Sequence, residues 1–192
     1  MLSHIRPALA SMGLFTALLG LGYPLAVTGI AQVAFPAQAN GSLLRDAKGT
    51  VVGSALIGQP FAKAEYLHPR PSAAGTGYDA SASSGSNMGP LNEALATRVK
   101  TDADALRVEN PGAVIPADAV TTSGSGLDPD ISPAYARFQA PRVARARGLP
   151  LAQVEAVIDR NVQGQLLGFI GQPRVNVLAV NRALDARFPK GG

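Results

Sequence analysis

The longest apolar stretch of the chain lies close to its start. No charged side chain occurs between Arg6 and Arg45, and residues 8–35 are almost wholly apolar. A helix needs about 20 apolar residues to cross the hydrocarbon core of a bilayer, so the stretch predicts one membrane-spanning helix. Small or helix-perturbing residues in such a helix are common where a neighbouring helix packs closely. The candidate subunit contacts are therefore Gly13, Gly20, Gly22 and Pro24.

Charges that flank this helix predict its orientation. Arg6 precedes the helix, and no Lys or Arg follows it closely. Positively charged flanks stay in the cytoplasm. We therefore expect residues 1–36 to form a cytoplasmic N-terminus and anchor, and residues 37–192 to form an extracytoplasmic domain. A cleaved signal peptide is the alternative, because Ala37-Gln38-Ala39 has the small residues of a cleavage site. A signal peptide core has only about 7–15 apolar residues, which favours the retained anchor.

The pattern beyond the anchor mixes strand and helix signals. Turn residues at 46–49 between two apolar runs predict a β-hairpin whose second strand extends to Ile57. The run 113–116 ends in proline, as is typical of an edge strand. Apolar residues at helical spacing predict helices over 91–106, 150–160 and 175–188.

One more helix is predicted between a start signal and a stop signal. Ser132-Pro133 is a favourable start and Gly148 a favourable stop, and we expect Pro141 to split or kink the helix. These elements predict an α+β fold, in which a single N-terminal transmembrane helix is followed by one extracytoplasmic α+β domain.

Two long stretches lack such patterns. Residues 68–90 and 121–129 are rich in Ser, Gly and Pro. The first is long for an irregular loop inside a compact domain, so it is expected to be either functional or mobile.

Composition excludes several functions. The chain contains no cysteine, so it has no disulfide, no zinc thiolate site and no thiol nucleophile. Its net charge of +4 comes from scattered basic residues, which argues against nucleic acid as a partner. The one dense basic run is expected to be a solvated helix face; it comprises Arg137, Arg142, Arg145 and Arg147.

Catalytic chemistry is not visible in the residue pattern. His68 alone cannot build a zinc site, and two carboxylates at Asp128 and Asp130 are too few for a hard cation. No serine lies in a nucleophile elbow. We therefore predict no catalytic residue and no metal site. A free-standing enzyme would need His68, Asp128 and the Ser/Gly-rich loops in one pocket.

Two Ser/Gly-rich segments loosely match a phosphate cradle, in which backbone N–H groups converge on an anion. They are Ser83–Asn87 and Ser123–Gly126. Neither is followed by the Gly-Lys-Ser/Thr of a Walker A loop. Tight turns held by Asn and Ser side chains are the structural alternative.

Short motifs along nearly the whole chain resemble one protein family. They include QANGSL at 38–43, GSALIGQ at 53–59, RPSA at 70–73, SGSGLD at 123–128, ISP at 131–133, GQPRVNV at 171–177 and NRALD at 181–185. In this order and spacing, the chain resembles the C subunit of the bacterial Kdp potassium-transporting ATPase.

The resemblance implies a role in the bacterial inner membrane. It implies a non-catalytic accessory subunit of a high-affinity, ATP-driven potassium uptake pump. The implied partners are a channel-like potassium-translocating subunit, a P-type ATPase subunit and a small single-helix subunit, besides membrane lipid. The implied action is that of a catalytic chaperone that raises the ATP affinity of the ATPase subunit. No cofactor is expected on the chain itself, although ATP is implied through the complex. The family's link to nucleotide implies contacts at Ser84, Gly85, Ser86 and Asn87. The alternative function is a free-standing, membrane-anchored nucleotide-binding or hydrolytic domain.

Overall fold

The chain forms two compact units that meet between Ser54 and Ala55. The computed structural model describes residues 4–46 and 48–189. It contains one N-terminal helix of membrane-spanning length and a mixed region of helices and short strands, which confirms the α+β prediction.

The first unit begins with a helix that spans Ile5–Ala34. It consists of α1 (Ile5–Phe15), a π-helical stretch (Thr16–Gly22) and α2 (Tyr23–Ala34). This 30-residue helix contains an 18-residue window with a mean hydropathy of 1.7, so it is long and apolar enough to cross a bilayer. Pro24 cannot donate to a carbonyl one turn back, and its ring crowds that carbonyl. The wider π-helical turns just before Pro24 accommodate this defect without ending the helix.

A short helix and a hairpin complete the first unit. The short helix is α3 (Pro36–Ala39), and β1 (Leu43–Arg45) pairs antiparallel with β2 (Val51–Ser54). Asp46 organises the turn, because its Oδ1 accepts the amides of Lys48 and Thr50, both at 2.9 Å. The predicted hairpin is therefore confirmed, although Ala47 of its turn lies outside the described residues.

The predicted extension of the second strand to Ile57 is wrong, because β2 ends at Ser54. The next residues belong to the second unit. There Asn176 donates to the Ala55 carbonyl at 3.1 Å, and the Gly58 amide donates to Leu127 at 2.8 Å.

In the described part of the second unit, residues 55–189, there are a small antiparallel sheet, four α-helices and a short 3-10 helix (Ala117–Ala119). The strands β3 (Asp130–Ile131), β4 (Val162–Gln163) and β5 (Arg174–Asn176) lie in the order β3-β5-β4. The helices are α4 (Glu93–Glu109), α5 (Pro133–Arg147), α6 (Leu151–Arg160) and α7 (Val177–Arg187). The core forms between α5, α6, α7 and the sheet; its fully buried members include Leu67, Val143, Val154, Ile158, Val175, Val180 and Leu184.

Polar caps explain where these helices begin. Asn92, Ser132 and Asn176 accept amides from the first turns of α4, α5 and α7 with their side-chain oxygens. The four predicted helices are thus confirmed within a few residues. Two details are wrong. Pro141 does not split α5, which runs from Pro133 to Arg147, and residues 113–116 form no strand. In α5 the proline removes only one amide donor, while packing of the apolar face holds both halves together.

An irregular segment, residues 63–70, begins with a turn at 63–66 and enters the interior at Leu67 without a strand partner. Leu67 is fully buried, so its backbone polar groups need partners inside the protein. Asn181 accepts the Leu67 amide at 2.8 Å and donates to its carbonyl at 3.0 Å. Gln139 bonds His68 in the same way, at 2.7 and 3.0 Å. Two side-chain amides therefore replace a β-ladder.

Two arginines of α5 strengthen this arrangement. Arg142 donates to the carbonyls of Ala64 and Tyr66, and Arg147 donates to that of Glu65. Their side chains are only 12% and 2% exposed. The prediction that these arginines form a solvated face is therefore wrong for Arg142 and Arg147, because they bind carbonyls that no helix or strand satisfies.

We predict that Asn181→Ala destabilises the second unit. The change leaves the amide and carbonyl of Leu67 buried without a partner, and should lower the free energy of unfolding by about 2–4 kcal/mol. Urea unfolding of the full chain in detergent, followed by circular dichroism, measures it. Asn161→Ala is the control, because Asn161 is half-buried and its amide donates only to the Val157 carbonyl of its own helix. Equal, small effects of both changes would contradict the prediction.

Candidate functional site

The two Ser/Gly-rich loops, far apart in sequence, lie against each other in the second unit. The Ser84 amide and the Ser83 hydroxyl both donate to the Ser125 carbonyl at 3.0 Å. The Ser86 hydroxyl accepts from Thr122 Oγ1 at 3.4 Å. We call this paired arrangement the loop clasp (residues 83–87 and 121–128). It uses the Ser84 amide, one of the donors that a phosphate cradle would present.

Two glycines of the loop clasp, Gly85 and Gly126, lie in close backbone contacts. Gly126 has a φ of 66°, and a Cβ at this residue would lie 2.5 Å from the Ser84 carbonyl oxygen and 2.7 Å from the Ala74 amide nitrogen. A Cβ at Gly85 would lie 3.1 Å from the Gly124 oxygen. These glycines allow the two backbones to touch, which is a packing role.

Arg70, the last residue of the irregular segment 63–70, joins this segment to the loop clasp. Its guanidinium pairs with Asp128 at 3.1 Å and donates to the Thr122 carbonyl at 3.2 Å and to Thr121. Arg70 and Asp128 are only 24% and 31% exposed at their side chains. A planar guanidinium suits this task because it donates in several fixed directions at once.

Ser72 and Tyr78 fix the same region from the other side. The Ser72 hydroxyl donates to the Gly126 carbonyl at 2.6 Å and accepts the Tyr78 amide at 2.8 Å. The Tyr78 hydroxyl donates to the Arg70 carbonyl at 2.6 Å, and burial raises the pKa of Tyr78 to about 12. Tyr78 therefore stays neutral and holds the loop as a hydrogen-bond donor.

A cleft of about 440 Å³ opens beside Arg70 and Asp128. Other charged side chains on its wall are Asp118, Asp130 and Arg174. Asp130 pairs with Arg174 at 3.0 Å, and Asp118 accepts the Ser132 hydroxyl and amide. Burial raises the pKa of Asp130, against the opposing effects of Asn176 and Arg174. The cleft is thus lined by ion pairs. Among residues 4–46 and 48–189, no group of three or more His, Asp or Glu side chains is placed to hold a metal ion.

His68 lines a different cavity, of about 430 Å³, together with Tyr78 and Tyr135. Its Nε2 lies 3.1 Å from the Lys63 carbonyl oxygen, and its pKa is lowered by burial and by the Arg142 charge. Asp128 is not part of this cavity's wall, and Ser84–Asn87 line neither cavity. The structure therefore brings Asp128 and the two loops together but leaves His68 apart from them.

The candidate contacts in the anchor lie on a helix without buried residues. A Cβ at Gly13 would meet nothing within 4 Å, and a Cβ at Gly20 or Gly22 would make only ordinary contacts, at 3.8 and 3.5 Å. Packing within the described chain thus does not require glycine at these positions. Pro24 lies at the start of α2.

Sequence reasoning missed three groups. It assigned no role to Arg70, to the buried amides Gln139 and Asn181, or to an exposed apolar turn at residues 166–170. Only the turn could have been recognised from the local sequence, because Gly164 and Gly171 flank its apolar residues and Gly168 divides them.

Comparison with known proteins gives one consistent result. Residues 5–186 match the family model KdpC, described as the c chain of the K+-transporting ATPase. A protein of Caulobacter sp. (strain K31), named Potassium-transporting ATPase KdpC subunit, is 82% identical over 192 residues, which cover 100% of this chain and 98% of that protein. Proteins of the same name from Beijerinckia indica and Myxococcus xanthus are 67% and 56% identical; the alignments cover 98% of this chain in both cases, and 96% and 90% of those proteins.

We predict that Gly126→Ala disrupts the loop clasp and that Gly124→Ala does not. The first change adds left-handed strain of about 1–2 kcal/mol and displaces backbone, for a total loss of about 2–4 kcal/mol. Gly124 is the matched control, since a Cβ there meets nothing within 4 Å. Urea unfolding of both variants measures the difference. A Gly126→Ala variant as stable as Gly124→Ala would show that the loops do not touch as described.

Proposed function

Because the chain belongs to the KdpC family, the c chains of K+-transporting ATPases, we propose that it is the non-catalytic accessory subunit of a high-affinity, ATP-driven potassium uptake pump. The observation that carries this proposal is the family match over residues 5–186, which spans both the anchor and the second unit. The covered share of the relatives, 90–98% of their length, supports the same role for the chain as a whole.

The catalytic residues of the pump lie, in this proposal, on another subunit. The state of the charged groups in the second unit supports it. Asp128 and Asp130, which line the cleft, are paired with Arg70 and Arg174. A carboxylate held in this way is poorly suited to act as a nucleophile or a general base, because its lone pairs are already engaged. The chain would act through contact instead.

The proposed action is that of a catalytic chaperone, which raises the ATP affinity of a P-type ATPase subunit. Such an effect requires a coupling free energy between the contact surface and the nucleotide site. It also requires that the contacting domain keep its shape, and the loop clasp together with the buried amides of Gln139 and Asn181 supports a rigid second unit.

The anchor is proposed to place the chain in the bacterial inner membrane as a single-pass protein. The cytoplasmic position of the N-terminus and the extracytoplasmic position of residues 37–192 rest on the charge pattern around Arg6. The proposed partners are a channel-like potassium-translocating subunit, a P-type ATPase subunit and a small single-helix subunit. Gly13, Gly20, Gly22 and Pro24 are the proposed contacts with neighbouring helices, since the chain's own packing gives glycine no role there.

Ser84, Gly85, Ser86 and Asn87 remain the proposed nucleotide-contact residues of the chain. Thr122 links this stretch to Arg70, because its hydroxyl donates to Ser86 and its carbonyl accepts from the Arg70 guanidinium. A nucleotide contact requires the loop to face the compartment that holds ATP, whereas the charge pattern around the anchor favours the opposite side. The two proposals are therefore separable by experiment.

We predict that replacing Gly20 and Gly22 by leucine weakens assembly of the pump. Leucine side chains would hold a neighbouring helix away from the anchor. Co-purification of tagged chain from native membranes in mild detergent, with quantitative mass spectrometry, measures the yield of a channel-like subunit and a P-type ATPase. The control replaces both glycines by alanine, which keeps the surface small. Undiminished co-purification of the leucine variant would refute the contact. A wild-type chain that purifies alone would refute the pump role itself.

We predict that the pump hydrolyses ATP with a higher apparent KM when this chain is absent, and with an unchanged rate at saturating ATP. If the loop contacts nucleotide, Ser86→Ala with Asn87→Gly should raise the KM too, because it removes polar groups while glycine keeps the positive φ of Asn87. Ser81→Ala, whose hydroxyl bonds only the nearby Asp79, is the control. If the KM rises when the chain is absent but not in the loop variant, the result would support the chaperone role and eliminate the nucleotide contact.

A further inference from the structure

An apolar turn projects from the sheet of the second unit, between β4 and β5. Its four large side chains are strongly exposed: Leu166 at 66%, Leu167 at 76%, Phe169 at 73% and Ile170 at 48%. Single exposed apolar residues are common on protein surfaces, but four together on one turn are not. We call residues 166–170 the apolar turn.

Part of the backbone of the apolar turn is hydrogen-bonded within the turn or to Gln165 just before it. Leu166 and Ile170 exchange both amide-to-carbonyl bonds, at 3.0 and 2.9 Å. The amide of Phe169 also donates within the turn, at 3.3 Å, and that of Gly168 donates to the Gln165 carbonyl at 3.2 Å. Leu167 and Gly168 have φ values of 53° and 81°. These bonds reduce the number of polar backbone groups that would lose water without a partner if the turn entered lipid.

The charged residues near the apolar turn flank it in the sequence. No charged residue occurs between Arg160 and Arg174, so the whole segment that connects α6 to β5 is neutral. An arginine lies at each end of this segment. Arg160 is exposed at the end of α6, and Arg174 on β5 is 53% exposed at its side chain while it pairs with Asp130 at 3.0 Å. The turn itself is therefore apolar and neutral, and one arginine flanks it in the sequence on each side.

We propose that the apolar turn inserts into the interfacial zone of a lipid bilayer, with Arg160 and Arg174 beside anionic headgroups. This rests on the proposed membrane anchoring, which tethers the second unit to a bilayer surface. Amphipathic surface elements bury apolar residues about 5–10 Å deep in this zone. Each arginine near an anionic surface contributes further attraction.

The size of the turn favours lipid over a protein partner as its occupant. A stable protein interface involves about 20–30 residues on each side. The apolar turn offers four exposed side chains within five residues, and arginines flank it in the sequence. A bilayer needs no complementary pocket for such a turn.

The chain contains no tryptophan, so a single reporter tests the proposal. The Phe169→Trp full chain is reconstituted into nanodiscs of phosphatidylcholine and phosphatidylglycerol. Its tryptophan should fluoresce at a shorter wavelength than a tryptophan side chain exposed to water. Lipids brominated on their acyl chains should quench most of this emission. Quenching should weaken with Arg160→Gln and Arg174→Gln together, and when phosphatidylglycerol is left out.

Two further variants keep the outcome interpretable. Leu91→Trp, at a residue that is 96% exposed elsewhere in the second unit, should remain unquenched. When Leu166→Ser and Leu167→Ser are added to the Phe169→Trp chain, most of the quenching should be lost. This loss would show that the native side chains, and not the reporter, cause insertion.

Emission of Phe169→Trp like that of Leu91→Trp in lipid would overturn the proposal. Shielding that arises only in the assembled pump, without bromine quenching, would assign the turn to a protein partner and likewise overturn it. Neither result bears on the pump role, because co-purification of the partners tests that role independently.

Discussion

The structure of the second unit depends on two buried side-chain amides that satisfy the backbone of an irregular segment. Asn181 and Gln139 each bond both the amide and the carbonyl of one residue, at Leu67 and His68. An unpaired buried backbone group costs as much as a lost hydrogen bond. Because these two amides lie on α7 and α5, the segment between them joins two helices that are distant in sequence. The buried arginines Arg142 and Arg147 extend the same principle to the preceding carbonyls.

This fixed segment also explains the order of the long loops that follow. Arg70 ends this segment and Ser72 follows it, and the two bind the loop clasp through Asp128 and the Gly126 carbonyl. Loops with few apolar residues cannot gain order from burial, so hydrogen bonds and close glycine contacts hold them. The stretch 68–90 has 23 residues without a helix or strand pattern in the sequence, yet it is an ordered part of the domain.

These features agree with a subunit that acts by contact. The buried backbone of Leu67 and His68 is paired within the second unit, and the cleft carboxylates Asp128 and Asp130 are held by arginines. The N-terminal helix and the apolar turn both expose several large apolar side chains. We propose that neighbouring helices cover the first surface and lipid the second. An accessory subunit of a membrane pump needs such surfaces more than it needs a reactive pocket.

Local chemistry in the sequence determined the anchor, the hairpin at Asp46 and the helix starts at Ser132 and Asn176, because periodicity and capping act between near neighbours. The family was also readable there, since its motifs keep their order. Tertiary structure alone decided that Arg142 and Arg147 are buried, that α5 passes through Pro141, and that the two Ser/Gly-rich loops touch while His68 lies apart. Each of these depends on partners many residues away. A side chain's role is then set by which unpaired group the fold brings to it, and no local pattern records that.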